Sequence, residues 1–213
     1  VKYAPTAKEK SIYDRHGLVV LEDFLDQDVC AKWDLSLRDA KPEQFKSDQG
    51  VTSGGFFEAG KNLYNYLDTY AIMEACPEIV DFYAGNVAWL RNLTDAEVVK
   101  SNYFRSAITA VQFEAAGSTQ SWHRESNPVT VIAYLTNNPK QGAIEVVDNE
   151  TEKSVFLYPK KGRVVVMNGR YVRHRVHAME TAERRVSLVC NYYLRGDHGR
   201  PADADDHIYG ADV

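Results

Sequence analysis

Apolar residues recur along this chain in two different periods, and the change between them falls just after Asn102. Upstream, spacings of three and four prevail. Glu9 to Arg15 read as a short helix broken by Gly17, followed by a short apolar strand, Leu18, Val19, Val20 and Leu21. Asp26 or Asp28 is placed to cap a helix running to about Asp39, with Val29, Cys30, Trp33, Leu35 and Leu37 as its apolar positions. Residues 41–61 are rich in Gly, Ser and Phe and keep neither period, so they read as a long loop of the kind that covers sites. Ile72, Met73 and Cys76 mark a short helical piece, and Pro77 opens a second along Ile79, Val80, Phe82, Tyr83, Val87, Trp89 and Leu90. Downstream the apolar residues come in β-branched runs at 107–113, 122–125, 129–135, 143–147, 155–158, 163–167, 174–176 and 186–193, separated by Gly, Pro and Asn turns. Eight short strands in this arrangement predict a mainly β fold with flanking helices. Its core, about 103–194, is a double-sheet jelly roll buttressed by the N-terminal helices.

Composition narrows the class of partner. At 213 residues, 44% hydrophobic and 26% charged, the chain has the balance of a single globular domain over 1–213. A net charge of -5 supplies no broad cationic field, which argues against a nucleic-acid polymer or an anionic membrane as the main partner and leaves a small molecule as the expected one. No window approaches the ~20 apolar residues of a membrane span, and the first residues lack the apolar run of a signal peptide. Cys30, Cys76 and Cys190 form no close-spaced framework, which suits a reducing, cytoplasmic setting. The polar stretch from Arg195 to Val213 reads as a solvated tail or surface flap, and its His198, Asp205, Asp206 and His207 fit that better than a metal site.

The chemistry concentrates in three strand segments. In a strand, positions i and i+2 share a face, so in His123-Arg124-Glu125 the imidazole and carboxylate project together while Arg124 points away. A divalent ion needs a further ligand, and two histidines plus one carboxylate with open positions suit non-haem Fe(II). His174, opening a later strand, is the chosen third ligand, with His177 as its rival. Alone, the His-x-Glu pair also reads as a satisfied histidine beside a surface carboxylate. Arg185 and Ser187 share a face by the same alternation, opposite to Arg184. A guanidinium there grips a carboxylate with two parallel hydrogen bonds; the alternative is a buried structural ion pair.

In their order, His123-Arg124-Glu125, then His174-Arg175-Val176, then Arg185-Val186-Ser187 resemble the Fe(II)/2-oxoglutarate-dependent oxygenases. The opening from Tyr13 to Leu25 is similar to the phytanoyl-CoA-hydroxylase-like branch, and the small-molecule (amino-acid) hydroxylases share the glutamate. The resemblance implies a double-stranded β-helix, cupin-like, with Fe(II) on His123, Glu125 and His174. It implies 2-oxoglutarate with its far carboxylate on Arg185 and Ser187 and its near one reached by Gln112. The implied reaction is hydroxylation of an amino acid or natural-product intermediate with O2, releasing succinate and CO2. A carboxylate at 125 argues against the related halogenases, which keep a small residue there. The substrate side of the mouth is expected from Tyr103, Arg105, Trp122 and Asn127; Tyr103 and Trp122 read equally as core, and Arg105, like Arg124, as a solvated cation. Two rival classes stay open: a cupin-like metal enzyme or sensor that does not use 2-oxoglutarate, and a non-catalytic jelly-roll binding module.

Overall fold

Two antiparallel sheets face one another, and every side chain of the candidate chemistry sits on or beside them. The structure is a computed structural model describing residues 3–47, 60–148 and 150–197. The larger sheet orders β1 (Leu18–Leu21), β10 (Val164–Met167), β7 (Val129–Tyr134), β12 (Arg185–Leu194), β5 (Ile108–Phe113), β3 (Asn62–Leu67) and β2 (Glu43–Ser47), with β4 (Val98–Lys100) also paired to β12. The smaller orders β6 (Gln120–His123), β11 (His174–Val176), β8 (Ile144–Val147) and β9 (Ser154–Leu157). This is the expected jelly roll, mainly β with flanking helices.

Strand alternation decides which residues face the interior. On β12, Val186, Leu188, Cys190 and Tyr192 join a core cluster with helical residues such as Trp33, Leu37, Ile79 and Leu90. Those come from α2 (Gln27–Arg38) and α4 (Pro77–Thr94), which with α1 (Ala7–His16) and α3 (Thr69–Ala75) back the sheet's outer face. The alternate positions, Arg185, Ser187 and Val189, therefore face the smaller sheet, where Ile132, Tyr134, Ile144, Val146, Val165, Met167 and Val172 form a second cluster. In the helical layer the Tyr192 hydroxyl donates to the Tyr83 carbonyl at 2.9 Å and accepts from Asn86 Nδ2 at 3.1 Å. Local signals act as expected at the helix ends. Asp26 caps α2 through Asp28 N–H, and Thr6 with Glu9 forms a reciprocal capping box on α1.

The structure corrects two expectations. Within 41–61, Glu43–Ser47 is a strand paired with β3 rather than loop, while 48–59 lie outside the described residues. β2 has one apolar side chain, Phe45, among Glu43, Gln44 and Lys46, so it carries no readable period. The third strand of the sequence reading, 122–125, is displaced: β6 ends at His123, and Glu125 lies beyond it. Of the tail, only 195–197 are described; Arg195 N–H bonds to the Glu97 carbonyl at 2.9 Å and Asp197 pairs with Arg170. His198, Asp205, Asp206 and His207 lie outside the described residues. Among those described, no helix is long and apolar enough to cross a membrane.

Candidate active site

β6 and β11 pair antiparallel with His123 directly opposite His174, which brings the two rings to 4.0 Å between centroids. Both side chains are nearly inaccessible, at 1% and 2% exposure. Each Nδ1 faces a backbone carbonyl, Ser121 at 2.7 Å and Val172 at 3.1 Å. A carbonyl only accepts, so Nδ1 carries a proton in each ring, and in the neutral imidazole Nε2 presents a lone pair. Those lone pairs converge on Glu125: one carboxylate oxygen lies 3.6 Å from His123 Nε2 and 3.5 Å from His174 Nε2.

Three acceptors facing one point without a donor between them repel, unless a proton or a cation sits among them. Burial, and next the neighbouring His123, hold the His174 imidazole below its ordinary range and so favour its neutral, ligating form. Burial alone would raise the Glu125 carboxyl, but a proton or cation shared with the two imidazoles holds it below its ordinary range. Ligands bound at ~2.1 Å and spread by 90–120° lie ~3.0–3.6 Å apart, so the observed spacings fit a divalent ion. These three residues, their donor atoms within 4.8 Å of one another, are the group able to hold one among the described residues.

On the facing sheet, Arg185 is 2% exposed, its guanidinium 4.8 Å over the Phe113 ring and 5.5 Å from that of Tyr134. Its Nε donates to the Gly142 carbonyl at 2.8 Å and one Nη to Ser187 Oγ at 3.3 Å. Among the described residues no carboxylate pairs with it, and the buried Tyr134 hydroxyl lies beside it with the guanidinium as its polar neighbour. Burial pulls the guanidinium down from its usual range, the direction expected of an unneutralised cation. A buried cation and a hydroxyl facing the same interior suit the carboxylate of a bound diacid. Tyr134 escaped the sequence reading, although it stands directly opposite Ser187 on β7 and so shares its face.

Gly142 shapes this pocket. Its φ of +62° favours glycine, and a Cβ there would lie 2.8 Å from Arg185 Cδ and 2.6 Å from Met179 Sδ. Gly142→Ala is therefore expected to displace the guanidinium and raise the KM for 2-oxoglutarate roughly tenfold, equivalent to ~1.4 kcal/mol, with metal affinity unchanged. Steady-state kinetics beside a metal titration check this.

Other sequence-predicted residues are placed elsewhere. Gln112 stands opposite Val186, on the helical side of β5; its Oε1 accepts from Arg184 at 3.3 Å, so it does not reach a cosubstrate inside the barrel. Arg184 faces away, as expected, with Asp34 at 2.8 Å and Glu114 in contact. Trp122, on the opposite side of β6 from His123, carries Arg173 and Arg175 over its ring at 4.2 and 4.7 Å and is not in the mouth. Arg105 pairs with Asp68 at 2.9 Å and Glu43 at 3.8 Å instead of standing free for a substrate. Asn127 spends both Nδ2 donors on Val129 O and Thr130 Oγ1, at 2.7 and 2.8 Å. Tyr103 packs against Tyr193, ring centroids 5.8 Å apart. Arg124 is exposed, with Nε 3.4 Å from the Tyr171 carbonyl. His177, the rival ligand, contacts Glu145 at 2.6 Å on the outer face of the smaller sheet, away from the acceptor cluster.

The fold is shared with solved structures. The chain is similar to the non-heme alpha ketoglutarate dependent carbocyclase SnoK from nogalamycin biosynthesis, with a TM-score of 0.73, 14% identity, and coverage of 95% of this chain and 89% of that one. It is similar to a prolyl-4-hydroxylase from Pseudomonas putida, at TM-score 0.66 and 16% identity over 89% of this chain and 99% of that one. It also resembles HygX from Streptomyces hygroscopicus, solved with nickel and 2-oxoglutarate bound, at TM-score 0.70 and 11% identity over 95% and 92%. No curated protein matches the chain by sequence. Residues 110–193, the span that carries the acceptor cluster and the buried guanidinium, match the model of the 2OG-Fe(II) oxygenase superfamily. Over that stretch the sequence match and the shared fold agree on a superfamily whose cofactors are Fe(II) and 2-oxoglutarate.

Proposed function

We propose that this chain is an Fe(II)- and 2-oxoglutarate-dependent dioxygenase that hydroxylates a small molecule. The observation that carries the reading is one barrel holding both a two-histidine, one-carboxylate acceptor cluster and a buried guanidinium with no carboxylate partner among the described residues. His123 and His174 would hold the metal through Nε2, each kept in that tautomer by its backbone carbonyl, and Glu125 would supply the third ligand. Arg185, Ser187 and Tyr134 would bind the far carboxylate of 2-oxoglutarate, and the apolar ring of Ile132, Val165, Met167 and Val172 would exclude water from its chain. When bound, the iron and its cosubstrate supply the oxidising chemistry, coupling decarboxylation of 2-oxoglutarate to succinate with two-electron oxidation of a substrate C–H bond.

Glu125 fills the third protein position, which argues against halide transfer and for hydroxylation. Among the described residues there is one barrel with its helical backing, and Arg105 is already neutralised, so a metabolite suits the site better than a polyanion. The three free, buried cysteines support a cytoplasmic setting. The test is anaerobic addition of Fe(II) and then 2-oxoglutarate, watching for the weak visible charge-transfer band of the chelate, with succinate release measured on admitting O2. A band with succinate is expected. Iron uptake without either selects the metal protein that does not use 2-oxoglutarate, and no iron uptake selects the binding module.

A further inference from the structure

Glu125 is the one member of the acceptor cluster that no β-ladder fixes, because β6 stops at His123 and the next strand begins at Val129. What holds it is the corner before β11. Glu125 N–H donates to the Gly169 carbonyl at 2.9 Å, and Gly169 N–H donates to the Pro128 carbonyl at 3.2 Å. Arg170 Nε donates to the Ser126 carbonyl at 2.9 Å, and its Nη2 is anchored 2.9 Å from Asp197. The fit is close: a Cβ on Gly169 would stand 2.4 Å from the Asn127 carbonyl oxygen, 2.7 Å from Glu125 Cβ and 2.8 Å from Thr130 Oγ1. The first two neighbours are main chain or the root of the ligand side chain, which yield only if residues 125–127 move.

We propose that residues 168–170 form a clamp that aims the Glu125 carboxylate, with Gly169 and Arg170 as its positioning residues. The proposal rests on the metal site proposed above. A ligand must sit within ~0.5 Å of its productive place, and glutamate has three torsions through which a main-chain shift is magnified. The clamp replaces the ladder bonds that hold the two histidines. It also joins the chain's last described residue to the site, since Asp197 holds the arginine that holds Ser126.

The test titrates the metal-free full chain with Co(II), read by its visible absorption, beside the thermal midpoint of the metal-free protein. Gly169→Ala is expected to weaken Co(II) binding roughly ten- to a hundredfold, the range for groups that support a ligand. Arg170→Ala removes a bond without inserting an atom, so it is expected to weaken binding several-fold with the midpoint unchanged, and Arg170→Lys to recover part of the loss. Should Gly169→Ala not fold, Arg170→Ala decides. Parental affinity in the arginine variant overturns the clamp, as does a loss of affinity that only follows a lowered midpoint. A parent that takes up no Co(II) instead overturns the metal reading itself.

Discussion

His174→Ala is expected to abolish metal binding and all 2-oxoglutarate turnover while leaving the metal-free protein folded. The expectation follows from what the side chain does in the metal-free state. In its neutral form His174 contributes a lone pair to a cluster that already holds another lone pair and a carboxylate. Removing one acceptor eases that repulsion and offsets part of the cost of the space vacated by a buried ring. With metal the balance reverses. At a hundredfold excess over Kd a bound ion stabilises the native state by about 2.7 kcal/mol, and that increment requires all three ligands. The parent's thermal midpoint should therefore rise on adding Fe(II) or Mn(II) anaerobically, and that of the alanine variant should not move. His177→Ala is the internal control. It lies three residues on, bonded to Glu145 on the outer face, and its loss should leave the metal-induced rise intact. A variant at 174 that keeps the rise, or one at 177 that loses it, would transfer the ligand role to the other histidine.

The periods of the sequence carry the architecture because burial on one side imposes them: the β-branched runs after residue 102 become the strands of the two sheets, and the earlier helical spacings become the layer behind. What a period does not carry is register. Gln112 lies on the strand ahead of β6, as the sequence suggests, but whether it faces the barrel depends on its partner, and opposite Val186 it faces the helices. Trp122 fails likewise, by one position of alternation. For Arg105 the missing information is distance along the chain, since Asp68 lies 37 residues away and nothing local announces the pair. Glu125 reaches the cluster by a different route from the one the alternation suggests, held outside the strand by a corner more than forty residues downstream. Tyr134 and Gly142 acquire meaning only beside Arg185, and a lone tyrosine or glycine in an apolar run gives no such signal.

Arg185 carries the second large effect, and there stability and activity are expected to move apart. If the guanidinium closed a structural ion pair, truncating it would strand a buried carboxylate at a cost of about 3–5 kcal/mol. Among the described residues it has no such partner; its bonds go to a carbonyl and a hydroxyl, and its charge lies over two aromatic rings. Arg185→Met, which keeps the length and drops the charge, is accordingly expected to leave the ligand-free midpoint unchanged or higher. Toward 2-oxoglutarate the same change removes a charge-assisted grip on the far carboxylate, about 3 kcal/mol for paired bonds, or roughly a hundredfold in KM. Arg185→Lys restores a charge but not the fork, and without Nε it also gives up the Gly142 anchor, so it should recover only about tenfold of that loss. Metal affinity measured without cosubstrate should be the same in all three proteins. Urea unfolding of the metal-free forms, set beside the 2-oxoglutarate dependence of succinate release, separates the two roles: a destabilised Met variant with parental KM would make Arg185 a structural cation, and a stable one with a raised KM makes it the anchor of the cosubstrate.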